Sequence, residues 1–373
     1  MHSVHLHYTL SHRNDAESHV SPEATLLSHP LMALLKAVAE QGSISAAARQ
    51  MDLSYRHVWG ELKRWEEVLG HELIIWEKGQ SARLTEFGDK LMWAERLTQA
   101  RLAPQLEALR ADLERTFAVA FDPEAHVLTL YASHDDALPR LREQAASSGL
   151  HLDIRFCGSV DAIRALNEGR CTLAGFHTQV QPHQDSHTAQ AYRDLLQPGL
   201  HKIIGFATRT QGLMTASGNP KQLHNLTDVA ISRAIFVQRS PGTGTRVLLD
   251  DLLAKDQLTN ADLNNWPDEE PSHTALAEAI ASGRCDVGLG IESTARARGL
   301  GFVPLVQEQF HLVCLKSALD TPATQALRDL LQDATWHAAL NTLPGYQAQD
   351  SGQVQSLRQQ LPWWTFKRAK KTS

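Results

Sequence analysis

The chain has 373 residues, enough for about two or three domains, and its 42% hydrophobic and 21% charged residues are the composition of an ordinary globular protein. No run approaches the roughly 20 apolar residues of a membrane span, and the first residues lack the charged-then-apolar order of a signal peptide, so a cytoplasmic protein with no membrane partner is expected. Its 36 Lys and Arg against 42 Asp and Glu leave a formal net charge of -6, which excludes a basic footprint over the whole molecule and leaves only a local one for contact with nucleic acid.

Residues 1–27 are polar, with His2, His5, His7, His12 and His19 among Ser and Asn, and read as a flexible leader. A metal held by His5 and His7 is the weaker alternative. Organisation begins at residue 28. Leu31, Leu34, Leu35 and Val38 fall at i, i+3, i+4 and i+7, the apolar stripe of an amphipathic helix that Gly42 closes as C-terminal cap. Ser43 opens a short helix through Ala46, Ala47 and Ala48, whose small side chains let two helix backbones cross closely. Asp52-Leu53-Ser54 is a turn, with Ser54 the N-cap of a third helix that carries Val58, Leu62, Trp65 and Leu69 on its buried face.

The first turn and opposite face of that third helix offer Tyr55, Arg56, His57, Lys63 and Arg64. This is a helix-turn-helix, in which the first residues of the second helix meet base edges of double-stranded DNA. Leu73 to Ile75 and Ala82 to Leu84, around Lys78-Gly79-Gln80, make a hairpin wing, with Lys78 and Arg83 placed for phosphates or a minor groove. The DNA-binding domain is thus residues 28–85.

Residues 86–120 stay helical. Leu102, Leu106, Leu109 and Leu113 form a heptad-like seam, with Phe117 one turn later. At about 1.5 Å per residue the helix would run roughly 50 Å. It cannot bury its own seam, so a second copy is the expected partner, giving a homodimer or a homotetramer. Packing on its own C-terminal domain is the alternative. Pro104 should kink the helix or restart it.

After Asp122-Pro123 strands and helices alternate, which implies a parallel α/β sheet. His126 to Tyr131, His151 to Phe156 and Cys171 to Phe176 are strands, and Gly158-Ser159 opens a helix. SPGTGTRVLLDDLL from Ser240 is a turn running into a helix. The helix-opening turns present backbone N–H groups and small hydroxyls: Ser133, Ser159, and Thr243-Gly244-Thr245. Helix starts of this kind hold anions, and in an open α/β sheet they lie at the carboxyl ends of strands, where ligands bind. Arg246 and His273 would add positive charge. For any single Ser or Thr, plain capping is the better reading; the argument rests on convergence.

Motifs that demand catalysis, a metal or a cofactor are not found. GTGTR lacks the Gly-Lys-Ser/Thr of a P-loop, Gly288-x-Gly290 lacks a third glycine, and Ser133-His134-Asp135 is contiguous and unsuited to a triad. Cys157, Cys171, Cys285 and Cys314 are far apart and form no C-x-x-C, as expected of buried reduced thiols.

The order helix, Gly-Ser, alanine-rich helix, Ser-Tyr-Arg, Trp helix, hairpin and Leu-Thr resembles the N-terminal winged helix-turn-helix of LysR-type regulators, and SYRHVW is similar to the version in molybdate-responsive regulators. That resemblance implies base contacts from Ser54, Tyr55, Arg56 and His57 and phosphate contacts from Ser43 and Ser45. SHDDALPRL, GSVDAIRALNEGRCTLAGFHT, RTQGLMTASGNP, SPGTGTRVLLD, PSHTALAEAIASGRCDVGLG and GLGFVPLVQEQFHLV resemble the periplasmic-binding-protein-like domain of molybdenum-linked regulators and molybdopterin-biosynthesis fusions. Cys171-Thr172 and Cys285-Asp286 depart from that pattern, where Ala-Asp is usual. The resemblance implies a domain over 121–365 with two lobes (121–205 with 302–365, and 206–301), crossed near Ile203 to Met214 and Phe302 to Val313. A short basic tail, 366–373, ends the chain.

The reading is an α/β chain with an N-terminal winged helix-turn-helix, a linker helix and a two-lobed sensor. It is a regulator that binds an inverted-repeat operator and responds to a small anion between the lobes, a molybdate- or tungstate-like oxyanion first and formate second. The rival is an enzyme or molybdenum-cofactor-handling protein with an attached DNA-binding domain.

Overall fold

A computed structural model describes residues 29–76, 81–121, 126–180 and 182–364. It divides into two compact units, 1–102 and 103–373.

The first unit begins with α1 (Pro30–Gln41), which starts on a proline and ends on Gly42 in the left-handed region (φ 59°), where the glycine N–H caps the Val38 carbonyl. α2 (Ile44–Gln50) and α3 (Tyr55–Leu69) follow, each started by a serine, Ser43 and Ser54. β1 (Ile74–Ile75) and β2 (Arg83–Leu84) pair antiparallel as the wing, and α4 (Glu86–Phe121) leaves it. Leu35, Val38, Ala47, Val58, Leu62 and Leu73 are buried together as its core. Of the expected buried face of α3, Val58 and Leu62 are fully buried, while Trp65 and Leu69 are only packed at its edge.

Two features of α4 bear on these expectations. Pro104 sits inside one continuous helix and does not restart it. In the second unit Asp112 of α4 pairs with Arg155 at 2.6 Å, so this part of the helix contacts the sensor domain rather than standing clear of it. Leu102 and Leu106 are half-buried, whereas Leu109 (59%) and Leu113 (42%) are exposed.

The second unit continues with β3 (His126–Ala132), α5 (Ala137–Ser147), β4 (Leu150–Phe156), α6 (Ser159–Asn167), β5 (Leu173–Gln179) and α7 (His187–Tyr192), the first lobe. β6 (His201–Thr215) then crosses to α8 (Leu226–Ser232), β7 (Ile235–Arg239), α9 (Gly244–Lys255), β8 (Asn264–Glu270), α10 (His273–Ala281), β9 (Val287–Ile291) and α11 (Glu292–Ala297), the second lobe. β10 (Gly301–Leu315) returns, and α12 (Pro322–Gln332), α13 (Ala334–Asn341), β11 (Tyr346–Gln347), β12 (Val354–Gln355) and α14 (Leu357–Gln360) complete the first lobe.

The strands form one sheet in the order β4-β3-β5-β10-β6-β9-β7-β8. Each lobe's own strands pair in parallel, as the alternation of strands and helices requires. The two long crossing strands make the centre antiparallel, so the sheet is mixed. β6 changes partners from β11 to β9 between Arg209 and Gln211. β10 pairs with β5 from Glu308 onward. The crossing therefore lies where Arg209 faces Glu308. Separate apolar cores, around Phe176 and Tyr192 in one lobe and Phe236 and Leu249 in the other, make each lobe a packed body.

Candidate functional site

The first surface is the start of α3. Ser54 Oγ accepts the His57 N–H at 3.1 Å, and Ser43 Oγ accepts the Ala46 N–H at 3.3 Å, so both serines act as caps. Tyr55, Arg56 and His57 are exposed together in the first turn, with Ser45 exposed on α2 and Arg83 on the wing. Tyr55 stacks on Trp59 (6.3 Å between centroids, planes 10° apart), which meets Trp76 edge-on at 5.7 Å. A pocket of about 200 Å³ opens between Ser43, Ser45, Tyr55 and Trp76. Lys63 and Arg64 are placed on the exposed side of α3, each beside an acid. Lys63 bonds Glu66 at 2.6 Å, and Arg64 bonds Glu61 through two nitrogens at 2.6 and 3.2 Å, because each acid lies three residues away on the same helix. Both side chains stay about half exposed, and these surface pairs are weak enough to be exchanged for phosphate. Glu66 also accepts the Leu73 N–H and so ties the wing to α3. Lys78 lies outside the described residues.

The second surface is the cleft between the lobes. Ser133 follows β3, Ser159 follows β4, Thr243 to Thr245 follow β7 and His273 follows β8, so all stand at carboxyl ends of parallel strands. The fold brings them together. Ser133 Oγ lies 3.4 Å from Ser159 Oγ, and Ser159 Oγ lies 3.5 Å from His177 Nδ1. On the other side Thr245 Oγ1 lies 3.4 Å from His273 Nε2. The lobes meet where the Val160 N–H donates to the Gly242 carbonyl at 3.3 Å. A Cβ at Gly158 would stand 2.7 Å from that same carbonyl oxygen, so the contact needs glycine. Gly244 packs against His177, 3.0 Å from where its own Cβ would be.

Three expected roles change. Thr243 Oγ1 donates to the Ser240 carbonyl at 2.8 Å and accepts the Arg246 N–H at 3.3 Å, so it caps α9 and has no hydroxyl proton left for a ligand. Arg246 places its guanidinium near Asp250 and Glu269, both at 3.8 Å, so its charge is shared with two acids of its own lobe. His273 supplies no charge: burial, with Arg239 and Arg209 nearby, holds its pKa well below the usual histidine value. Burial does the same to His177, and lowers His134 to about 4. All three are neutral at pH 7.

The charge comes from residues the sequence reading did not single out. Arg209 and Gln211 on β6 and Glu308 on β10 are buried at the crossing. Arg209 donates to Asp135 and, at 2.9 Å, to Glu308, and Tyr346 Oη donates to Asp135 at 2.8 Å. Burial opposes the Arg209 charge, but Glu308 and Asp135 outweigh it and its pKa rises. Gln211 Nε2 donates to Glu308 at 2.7 Å and to Thr245 Oγ1 at 3.1 Å. Arg239, at the end of β7, is also buried, and burial followed by repulsion from Arg209 lowers it to about 9, still a cation at neutral pH. Polar residues inside otherwise apolar strands, HKIIGFATRTQGLMT and IFVQR, were the available signal.

Cys171, Cys285 and Cys314 are buried and Cys157 is half-buried, all as free thiols. Among the described residues no His, Cys, Asp and Glu cluster could hold a metal, and no helix is long and apolar enough to cross a membrane. His5 and His7 lie outside the described residues.

Comparison with known proteins finds two family matches. Residues 141–332 match the PBP superfamily domain, and residues 30–89 match the bacterial regulatory helix-turn-helix protein, lysR family. The uncharacterized protein YvgK of Bacillus subtilis is 27% identical over 200 residues, 54% of this chain and 64% of YvgK. The molybdenum-pterin-binding protein MopB of Rhodobacter capsulatus is 34% identical over 86 residues, 22% of this chain and 32% of MopB. The chain thus spans less than two thirds of both relatives. Among solved structures, Corynebacterium glutamicum OxyR (C206 mutant) aligns over 84% of this chain and 95% of its own, at 17% identity and a TM-score of 0.41.

Proposed function

The chain belongs to the PBP superfamily through residues 141–332 and joins that domain to a regulatory helix-turn-helix of the lysR family at residues 30–89; from that pairing, a regulator's and not an enzyme's, we propose that it is a ligand-responsive transcriptional regulator whose effector is a small anion held between the lobes. The observation that carries the effector half is convergence. Hydroxyls from two strand ends of one lobe and one of the other stand around a cleft whose walls already touch. Donors from both lobes favour a ligand in the closed state, and that difference in affinity is what a switch requires.

The DNA half rests on the exposed Tyr55, Arg56 and His57 at the start of α3, with an inverted-repeat operator read by a homodimer or homotetramer in the cytoplasm. A molybdate- or tungstate-like oxyanion is the first candidate effector. The sequence resemblance to molybdenum-linked regulators supports it, as does likeness to a protein named for molybdenum-pterin binding. Formate is second, because a cleft with hydroxyl donors suits a carboxylate.

The test is thermal unfolding of the full chain with molybdate, tungstate, sulfate, formate and nitrate. An anion at 100 times its dissociation constant adds roughly 2.7 kcal/mol of stability. It should be recovered unchanged after incubation. Ser159→Ala combined with Thr245→Val should abolish the shift while the anion-free protein still melts cooperatively. A double variant that binds every anion as the parent does places the site elsewhere.

A further inference from the structure

The cleft holds two buried arginines with different surroundings. Arg209 is spent on two carboxylates, Asp135 and Glu308. Arg239, 2% exposed, is not. Its Nε donates to the Glu270 carbonyl at 3.2 Å and its Nη2 to the Pro271 carbonyl at 2.9 Å. These backbone acceptors fix the plane of the guanidinium without cancelling its charge. Nη1 meets no acceptor, and no carboxylate oxygen lies within ion-pair distance of the group, among the described residues. Arg239 ends β7, and the two carbonyls end β8, so the group sits at the strand ends that form the second lobe's side of the cleft.

Other atoms there are also without partners. His177 Nε2 and His134 Nδ1 are buried and unbonded among the described residues. A buried cation without a counter-anion is costly, and buried polar atoms are normally satisfied. One small oxyanion would answer the charge and provide acceptors for neutral donors beside it. Arg's planar fork suits two oxygens of one group, as a carboxylate or an oxoanion presents them.

We propose that Arg239 is the charge partner of the bound anion, its free N–H groups directed at an oxygen of a small oxyanion in the cleft. This rests on the effector reading above. It adds the residue that supplies the charge, and it makes the anion-free cleft a state in which the Arg239 cation has no ion-pair partner, only the more distant fields of Glu270, Glu308 and Asp135.

The test uses full-length protein and three probes, sodium molybdate, sodium tungstate and sodium formate, each against a matched chloride control. Arg239→Gln removes the charge and keeps an N–H donor for the carbonyls; Arg239→Lys keeps the charge and loses the fork. The parent should show an anion-dependent rise in melting temperature. Arg239→Gln should melt at or above the parent without anion and lose that rise. Arg239→Lys should keep a reduced one. A merely structural arginine would instead lower the anion-free melting temperature when replaced by Gln, and that result overturns the proposal. A Gln variant that keeps the full rise also overturns it while leaving the effector reading intact. A parent that responds to none of the probes overturns the proposal together with the small-anion reading.

Discussion

At the scale of single residues, burial decides charge. His134, His177, His273 and His311 are all pulled toward neutrality by the low-dielectric interior, His311 to about 3. Arg239 keeps its proton in the same surroundings because an arginine starts from so high a value. At the DNA surface the reverse holds, and water leaves side chains free to act. Arg56 is exposed and makes no ion pair among the described residues, unlike Lys63 and Arg64, which sit beside Glu66 and Glu61. Arg56→Ala should therefore weaken specific operator binding by about 1–3 kcal/mol, if its fork reads a base edge. Gel shifts on specific and scrambled sites check this. Equal losses on both would make Arg56 a phosphate contact instead.

At the scale of elements, the second half of α4 leaves apolar side chains uncovered. Its seam residues Leu109 and Leu113 are exposed although apolar, while Asp112 between them is engaged with Arg155. Exposed leucines at heptad spacing are tolerated singly but as a row favour a partner helix. Replacing both, Leu109→Asp with Leu113→Asp, removes little from the chain's own core, so the variant should fold. It should sediment as a monomer and lose cooperative operator binding. A variant that stays dimeric shows that the copies associate through another face.

At the scale of the sensor domain as a whole, closure depends on backbones approaching across the cleft. Asp136 of the first lobe accepts from Ser293 at 2.6 Å and Thr294 at 2.8 Å on α11. Asp251 on α9 accepts the His187 N–H at 2.6 Å and the Thr188 hydroxyl at 2.5 Å. The Gly158 to Gly242 approach is a third contact between the lobes. Gly158→Ala adds a methyl where a carbonyl already stands, and overpacking of this kind costs about 1–3 kcal/mol. The cost falls on the closed state alone. Effector affinity should drop about 5- to 150-fold, and small-angle scattering should show a more open sensor domain. Unchanged affinity would mean that the effector does not require this contact.

The sequence by itself determined the local parts. Gly42, Ser43 and Ser54 mark helix ends because capping is a contact between near neighbours, and α1 ends, and α2 and α3 begin, where those residues put them. The alternation after residue 126 likewise announced strands and helices, and the small hydroxyls at the strand ends were legible one by one. Only the tertiary structure decided which of them share a site. Ser133 and Ser159 are 26 residues apart and Thr245 and His273 are 28 apart. Arg209, Asp135 and Glu308 meet across separations of 74 and 99 residues. Long-range pairing of this kind leaves no periodic trace, and neither does burial deep enough to silence His273, or to leave Arg239 charged without a carboxylate in ion-pair distance. Those outcomes follow from which strands lie side by side, and strand order is set by packing of the whole domain rather than by any one segment.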